Sequence, residues 1–320
     1  MATWAWGLLG RAALPRLLSP ADSGGGPAET AVVLRSLARH AVSVPLAETD
    51  VLAGWLATVA GIELTETGPL TVAFGRATRN SGRITAAVPA VPYAASATQV
   101  VLALRDGERL LVAARDPGDL YITEGHNPGG EQRDTVAVDE NYDSFAVLDG
   151  AATELTRRGA WARCMQIIGT LDAAVEFSVA HTRQREQFGR PLSAFQAVQR
   201  TLAGMAGEVE RARAVANLAV AAAIEFGFDS PQTDFAVTVA KVTLGQVLPS
   251  VVTSAHQLHG AIGVTIEHHL WLATMRARSW IEEFGDNARY AQGLGRLTLA
   301  ATDPWDVIIG RVASARPAAT

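Results

Sequence analysis

The apolar positions of this chain change their spacing along its length. From about residue 151 they recur at intervals of three and four, and Phe195, Val198, Leu202, Met205, Val209, Ala212 and Ala216 form one stripe. A helix of 3.6 residues per turn brings such positions to one side, so the spacing predicts an antiparallel bundle seam. Breaks at Gly189-Arg190-Pro191, at 227–231 and at 260–263 divide the region into four expected helices, about 151–183, 193–226, 231–259 and 267–300. Between Gly68 and Gly150 the apolar runs are short and β-rich instead, at 70–74, 84–88, 100–104, 110–113, 136–138 and 145–148. Asp106-Gly107 lies between the third and fourth of these, where a hairpin turn is expected. Pro89, Pro92, Pro117 and Pro128 punctuate the rest, and the segment predicts a small antiparallel β domain. The start of the chain reads as interrupted helix. One short helix is expected over 31–40 after Ser23-Gly24-Gly25-Gly26-Pro27, and a second is expected with Thr49 or Asp50 as its cap and Val51, Leu52, Trp55, Leu56 and Val59 on one face. The expected class is α+β, mainly α, with a helical segment over 1–64, a β middle domain over 65–150, a four-helix bundle over 151–302 and a tail over 303–320.

Composition narrows the choice of function. The 320 residues are 48% hydrophobic and 18% charged, with a formal net charge of −5. That balance gives a core-forming chain and argues against a nucleic-acid binder. Lys241 is the only lysine, and the arginines are scattered rather than gathered in a stripe. No stretch of about 18 apolar residues is free of charge, so no membrane span is expected. Residues 1–9 are apolar and precede Arg11 and Arg16, the reverse of signal-peptide order. Cys164 is the only cysteine, which excludes an intrachain disulfide and fits a cytoplasmic protein. Apolar residues surround more than one side of two helices, Leu218, Val220 and Ile224 on one and Val237, Val239, Val242 and Val247 on the next, so an oligomer is expected.

Common chemical motifs are absent. There is no GxGxxG after a strand, no GxxxxGK[ST] and no GxSxG, which argues against a Rossmann dehydrogenase, a P-loop NTPase and an α/β-hydrolase. His256, His259, His268 and His269 lie close in sequence beside Glu267. A metal site there would need convergence across the 260–263 break. Glu-x-x-His is missing and two of the histidines are adjacent, pointing different ways, so no metal site is expected. Cys164, among Ala, Met and Ile, reads as a buried structural thiol.

Two segments are more specific. One is His181-Thr182-Arg183-Gln184-Arg185-Glu186-Gln187-Phe188-Gly189-Arg190-Pro191-Leu192, followed by Phe195-Gln196 and Gln199. The other is Gln257-Leu258-His259-Gly260-Ala261-Ile262-Gly263-Val264-Thr265, followed by Glu267-His268. Singly they read as a polar turn and a glycine-rich break. Together they resemble the flavin-binding signatures of the acyl-CoA dehydrogenase family, strongest over 155–290. Pro45-Leu46-Ala47-Glu48, followed by Leu52-Ala53-Gly54-Trp55, also resembles the N-terminal part of its smaller bacterial members.

The resemblance implies a fold of N-terminal helices, β middle domain and C-terminal four-helix bundle. It implies FAD as cofactor and α,β-desaturation of an acyl-CoA, in which a carboxylate takes the α proton while the β hydrogen leaves as hydride to the flavin. It assigns Arg185 to the FAD pyrophosphate, Phe188 to the adenine side, Gln187 to a place beside the cofactor and Gln257 to the ADP portion. Gly260 lets the backbone approach, and Ala261 stands where a second glycine is usual. In the family these residues reach across an interface to a flavin held mainly by the other subunit.

The indispensable glutamate is missing from both family positions. Nine residues after Arg276 stands Gly285, preceded by the aromatic Phe284, and 29 residues before Phe188 stands Gly159. Glu154 is five residues from the second position. No Trp occurs between 62 and 150, so the family's ring-holding loop and Trp-x-[ST] strand have no counterpart. The pattern resembles non-catalytic partners in heteromeric enzymes that oxidise steroid-derived CoA thioesters, and the resemblance implies a heterotetramer. The implied partners are a larger subunit carrying the catalytic Glu, an acyl-CoA substrate and, as a candidate, an electron-transfer flavoprotein. Two alternatives stay open: a self-sufficient dehydrogenase whose base is Glu267, Glu282, Glu283 or Asp286, and a non-enzymatic assembly protein of the same fold.

Overall fold

The short β-rich runs pair into two four-stranded sheets, and the long stripes become helices. A computed structural model of the chain describes residues 3–11, 17–18, 25–65 and 67–310. Ser23 and Gly24 of the expected breaker run, and 311–320 of the expected tail, lie outside the described residues. Among the described residues the chain divides into two compact units, Met1–Leu37 with Val42–Ala162, and Ala38–Ala41 with Arg163–Thr320.

The first unit begins with helices α1 (Thr3–Arg11) and α2 (Pro27–Arg39), then a π-wound helix Ala47–Gly54 that continues as α3 (Trp55–Ala60). Thr49 and Asp50 do not cap this helix. They lie inside its first turns and are buried. A buried hydroxyl or carboxylate needs a partner. Thr49 Oγ1 bonds the carbonyl of Leu70 at 3.0 Å and accepts the Leu70 N–H at 2.9 Å. Asp50 accepts the Leu18 N–H at 2.9 Å. The helix therefore starts earlier than expected, and its polar residues anchor the entry to the sheet.

The strands are β1 (Leu70–Arg76), β2 (Thr78–Asn80), β3 (Arg83–Pro92), β4 (Gln99–Asp106), β5 (Arg109–Arg115), β6 (Tyr121–Thr123), β7 (Arg133–Asn141) and β8 (Ala146–Asp149). One sheet has the order β1-β4-β5-β8, the other β2-β3-β7-β6. The expected hairpin forms between β4 and β5, with Asp106 opposite Arg109 and Gly107 at φ 63° in the turn. The sequence predicts an antiparallel domain, but β1 and β4 run parallel, from Leu70 opposite Gln99 to Arg76 opposite Arg105. The chain visits the other sheet through β2 and β3 before returning, and that crossover lets β4 re-enter in the direction of β1. Ala73, Ile84, Val88, Leu102, Leu104, Leu111, Val136 and Val138 make the core of these strands. Gly75 is required there, because a Cβ would lie 2.7 Å from a Val88 methyl.

The second unit contains most of α4 (Ala151–Gln184), a short ladder of β9 (Glu186–Gln187) and β10 (Arg190–Pro191), and helices α5 (Gln196–Phe226), α6 (Pro231–His259), α7 (Leu270–Glu282), α8 (Asn287–Ala300) and α9 (Pro304–Ile308). The stripe on α5 buries Met205, Val209, Ala212 and Ala216, while Leu218, Ile224 and Phe226 remain exposed. Helix α6 buries a broad face, among them Val237, Leu244, Val247 and Val251, and leaves Gln246, Pro249, Ser250 and Thr253 exposed on the other. The stretch Pro231–Val264 is long and apolar enough to cross a membrane by composition alone, against the expectation above, but 61% of its most apolar window is buried inside the protein. Cys164 is fully buried, and burial pushes its thiol up to about 12, as a structural thiol requires.

The fourth helix expected over 267–300 is two helices. Phe284 and Gly285 take φ 58° and 109°, which stops α7, and Asp286 restarts the chain as α8 by accepting the Arg289 N–H at 2.7 Å. The break frees carbonyls at the end of α7. Lys241, buried on α6, donates to those of Ile281 at 2.5 Å and Glu283 at 3.0 Å. Burial lowers the lysine pKa, so the bonds offset a real desolvation cost. Lys241→Met is expected to destabilise the chain by about 2–4 kcal/mol, because two buried carbonyls lose their donor. Urea unfolding measures this, and a loss below about 0.5 kcal/mol would show that the clasp carries little.

Candidate cofactor site

Both sequence segments belong to the second unit. Helix α4 ends at Gln184, and the Arg185 N–H still donates to the His181 carbonyl at 2.8 Å. The chain then reverses through Phe188 and Gly189, both at positive φ (55° and 77°), between paired Gln187 and Arg190. Two residues at positive φ suit a tight two-residue turn. Glycine adopts that geometry freely, whereas a bulky ring there costs about 1–3 kcal/mol. Phe188 is nevertheless 91% exposed, touching Phe195 edge-on at 6.2 Å. Arg190 covers the other partner, its guanidinium 4.0 Å from the Phe195 ring centre. Arg185 and Gln187 are exposed, and Arg185 makes no ion pair among the described residues.

The second segment closes α6. Gly260 takes φ 64° and ψ −144°, a conformation open in practice only to glycine. A Cβ on it would meet nothing, so the backbone there faces open space. Gln257, Gly260 and Ala261 are all exposed. Gly263 is buried, and a Cβ would sit 2.7 Å from that of His259.

Histidines join the two segments. The His181 and His259 rings stack at 4.5 Å and 25°. His259 also meets His268 edge-on at 4.7 Å, and Phe177 packs on His268 and His269. Arg185 lies one turn beyond His181, and Gln257 and Gly260 flank His259, so the stack brings together residues about seventy positions apart. His181 is the member that sequence reasoning passed over; its signal was a histidine one turn ahead of the arginine. The convergence across 260–263 that seemed remote does occur, with His181 in place of His256 and His269. His256 instead bonds Thr274 Oγ1 at 3.0 Å.

Burial lowers the pKa of His181, His256, His259 and His268. Neighbouring rings reinforce this, Arg185 does so at His181 and Arg278 at His256. The unfolded state therefore binds more protons than the folded one near the ordinary imidazole value of about 6.5. This contribution to stability is intact above that pH and is lost as pH falls below it towards the folded pKa values. Thermal melts should give a higher Tm at pH 7.5 than at pH 5.5; an unchanged Tm would show that the four rings titrate alike in both states.

The expected base positions look different from a catalytic centre. Gly285 has φ 109°, and a Cβ there would lie 2.9 Å from Tyr290. Gly159 is buried on α4. Glu154 pairs with Arg158 at 2.8 Å. Glu283 is held by the Arg163 guanidinium at 2.6 Å, and Asp286 caps α8. Glu267 and Glu282 are exposed. A solvent-open cleft of about 410 Å³ on this unit is lined by Arg39, Asp172, Glu176, Glu210 and Arg213, whose charges pair with one another.

Residues 150–287 match the acyl-CoA dehydrogenase C-terminal domain. The chain is 30% identical over 146 residues to acyl-CoA dehydrogenase IpdE2 of Mycolicibacterium smegmatis, a match covering 44% of each. The match therefore spans less than half the length of that relative. The ChsE4–ChsE5 complex from Mycobacterium tuberculosis superposes with a TM-score of 0.78 at 22% identity, covering 95% of this chain and 89% of that one. A variant of the steroid ACAD Tcur3481–Tcur3483 superposes with a TM-score of 0.76 at 24% identity, covering 96% and 89%. These show the acyl-CoA dehydrogenase fold: helices, a β middle region and a helical C-terminal part.

Proposed function

We propose, from the match of residues 150–287 to the acyl-CoA dehydrogenase C-terminal domain, that this chain is the partner subunit of a heteromeric, FAD-dependent acyl-CoA dehydrogenase. It contributes cofactor contacts in trans and leaves the base to a larger subunit. One observation carries this reading: Arg185, Gln187, Phe188, Gln257, Gly260 and Ala261 come from two segments joined by one ring stack, and all six are exposed. A complete flavin pocket would bury its cofactor, whereas an exposed array fits half of one. The residue types fit FAD. The Arg185 guanidinium, without an ion pair among the described residues, offers a two-pronged donor to a pyrophosphate. The Phe188 ring offers a face to adenine, Gln257 an amide to the ADP portion, and the open backbone at Gly260 a close approach. Bound FAD would supply the acceptor for the substrate's hydride.

The relation to ChsE4–ChsE5 and to a steroid ACAD supports a two-chain assembly and a steroid-type acyl-CoA as substrate. The test is to purify the chain alone and together with a longer relative that carries the family glutamate, and to record visible flavin absorbance. Flavin retained only in the pair supports the reading. A yellow homomer favours a self-sufficient dehydrogenase, and no flavin in any combination favours an assembly protein.

A further inference from the structure

We propose that His181, His259 and His268 form a three-imidazole site for a divalent transition-metal ion of the zinc type, pinning the end of α4, the end of α6 and the turn before α7. One ligating nitrogen from each ring lies within 4.8 Å of the others. His259 carries the inference furthest. It is only 5% exposed. Its Nδ1 lies 2.7 Å from the Ala255 carbonyl, an oxygen that can only accept, so Nδ1 bears the proton. Nε2 then carries the lone pair; it is buried and makes no hydrogen bond among the described residues, although the Phe177 carbonyl also approaches the ring. An imidazole fixed by an Nδ1–H···O=C bond, with the other nitrogen aimed at its neighbours, is the usual arrangement behind a metal ligand.

The other two rings are half-buried and adjoin His259, His181 stacked over its face and His268 edge-on. His268 Nδ1 accepts the Leu270 N–H at 3.1 Å. Loading an ion through its Nε2 exchanges that tautomer and gives up this bond, and His181 must turn out of its stack on His259 for the nitrogens to reach coordination distance. All three pKa values are lowered, mainly by burial, so the rings are neutral and ready to ligate near pH 7. An all-nitrogen set suits zinc, cobalt(II), nickel(II) or copper(II) rather than magnesium or calcium, with water as the fourth ligand. No carboxylate joins the trio, and Arg185 adds positive charge near His181, so the affinity is below that of thiolate-bearing zinc sites. The site would act as a staple under the turns that bear Arg185 and Gly260. It does not rest on the flavin reading, since it uses none of the six proposed flavin contacts.

The test uses the full chain, free of any histidine tag and stripped with a chelator. Calorimetric titration with zinc chloride should give one equivalent bound. Cobalt(II) chloride should give the visible bands of a four-coordinate site. A hundredfold excess of zinc over Kd should raise Tm by about 5 °C. His181→Ala and His268→Ala, at half-buried positions, should each weaken zinc by more than the roughly 10–100-fold that removing a group behind a ligand costs. His269→Ala should bind as the parent does. Absence of saturable one-to-one binding in the parent chain overturns the proposal without recourse to variants. So does binding unchanged by both substitutions, which would place the ion elsewhere and leave the rings as a packed, hydrogen-bonded trio. Flavin retention, measured on the same samples with the longer relative, fails or holds independently.

Discussion

Mixed anaerobically with an acyl-CoA and FAD, this chain alone should reduce flavin at least about 10²–10⁴-fold more slowly than its complex with a base-bearing relative. A thioester α proton is weakly acidic and leaves only to a positioned base, within about 2.6–3.2 Å. Glu283 and Asp286 each have another task. Glu283 is clamped by Arg163, whose own guanidinium also bonds Gln166 at 2.6 Å. Moving Glu283 would strand a buried cation, which costs several kcal/mol. Asp286 would have to release the first turn of α8, at about 1 kcal/mol. Restoring the residue by Gly285→Glu should not restore activity in the lone chain. The backbone sits at φ 109° and Tyr290 occupies the space of the new Cβ. Bleaching by the lone chain at a rate close to that of the complex, abolished by Glu283→Gln or Asp286→Asn, would replace the partner-subunit reading with a self-sufficient enzyme.

Arg185→Ala should weaken flavin binding by the complex by about 10–150-fold, the equivalent of about 1.5–3 kcal/mol for a hydrogen bond to a charged group. Arg185 makes no ion pair among the described residues, so its removal breaks none there, and the melting temperature should stay nearly constant while occupancy falls. Arg185→Lys should recover only part of the loss, since a point charge cannot bind two phosphate oxygens with a planar fork. Phe188→Gly sharpens the test. It relieves the strain at φ 55° and should stabilise the free chain, yet it removes the exposed ring and should lower flavin occupancy. Flavin occupancy unchanged by both Arg185→Ala and Phe188→Gly would move the cofactor contacts elsewhere on the chain.

Sequence patterning determined what local rules govern. Short β-rich runs and 3.6-residue stripes separated strands from helices, and the turn at Asp106-Gly107 appeared where a residue at positive φ was needed. The motif residues were legible through the family resemblance, which assigns a guanidinium at 185, an aromatic at 188 and glycine at 260 to a cofactor. Features that depend on distant partners were hidden. The parallel pairing of β1 with β4 follows from a crossover, not from either strand's own pattern. Thr49 and Asp50 read as caps, but buried polar groups take whatever partner the fold brings, here Leu70 and Leu18. The 267–300 stripe is continuous in periodicity, and only the left-handed Phe284-Gly285 pair with the Lys241 clasp divides it. The histidine trio is the clearest case. His181 lies 78 positions before His259, and no spacing rule links them. Stacking their rings required two long helices to end side by side, and that juxtaposition is a property of packed tertiary structure alone.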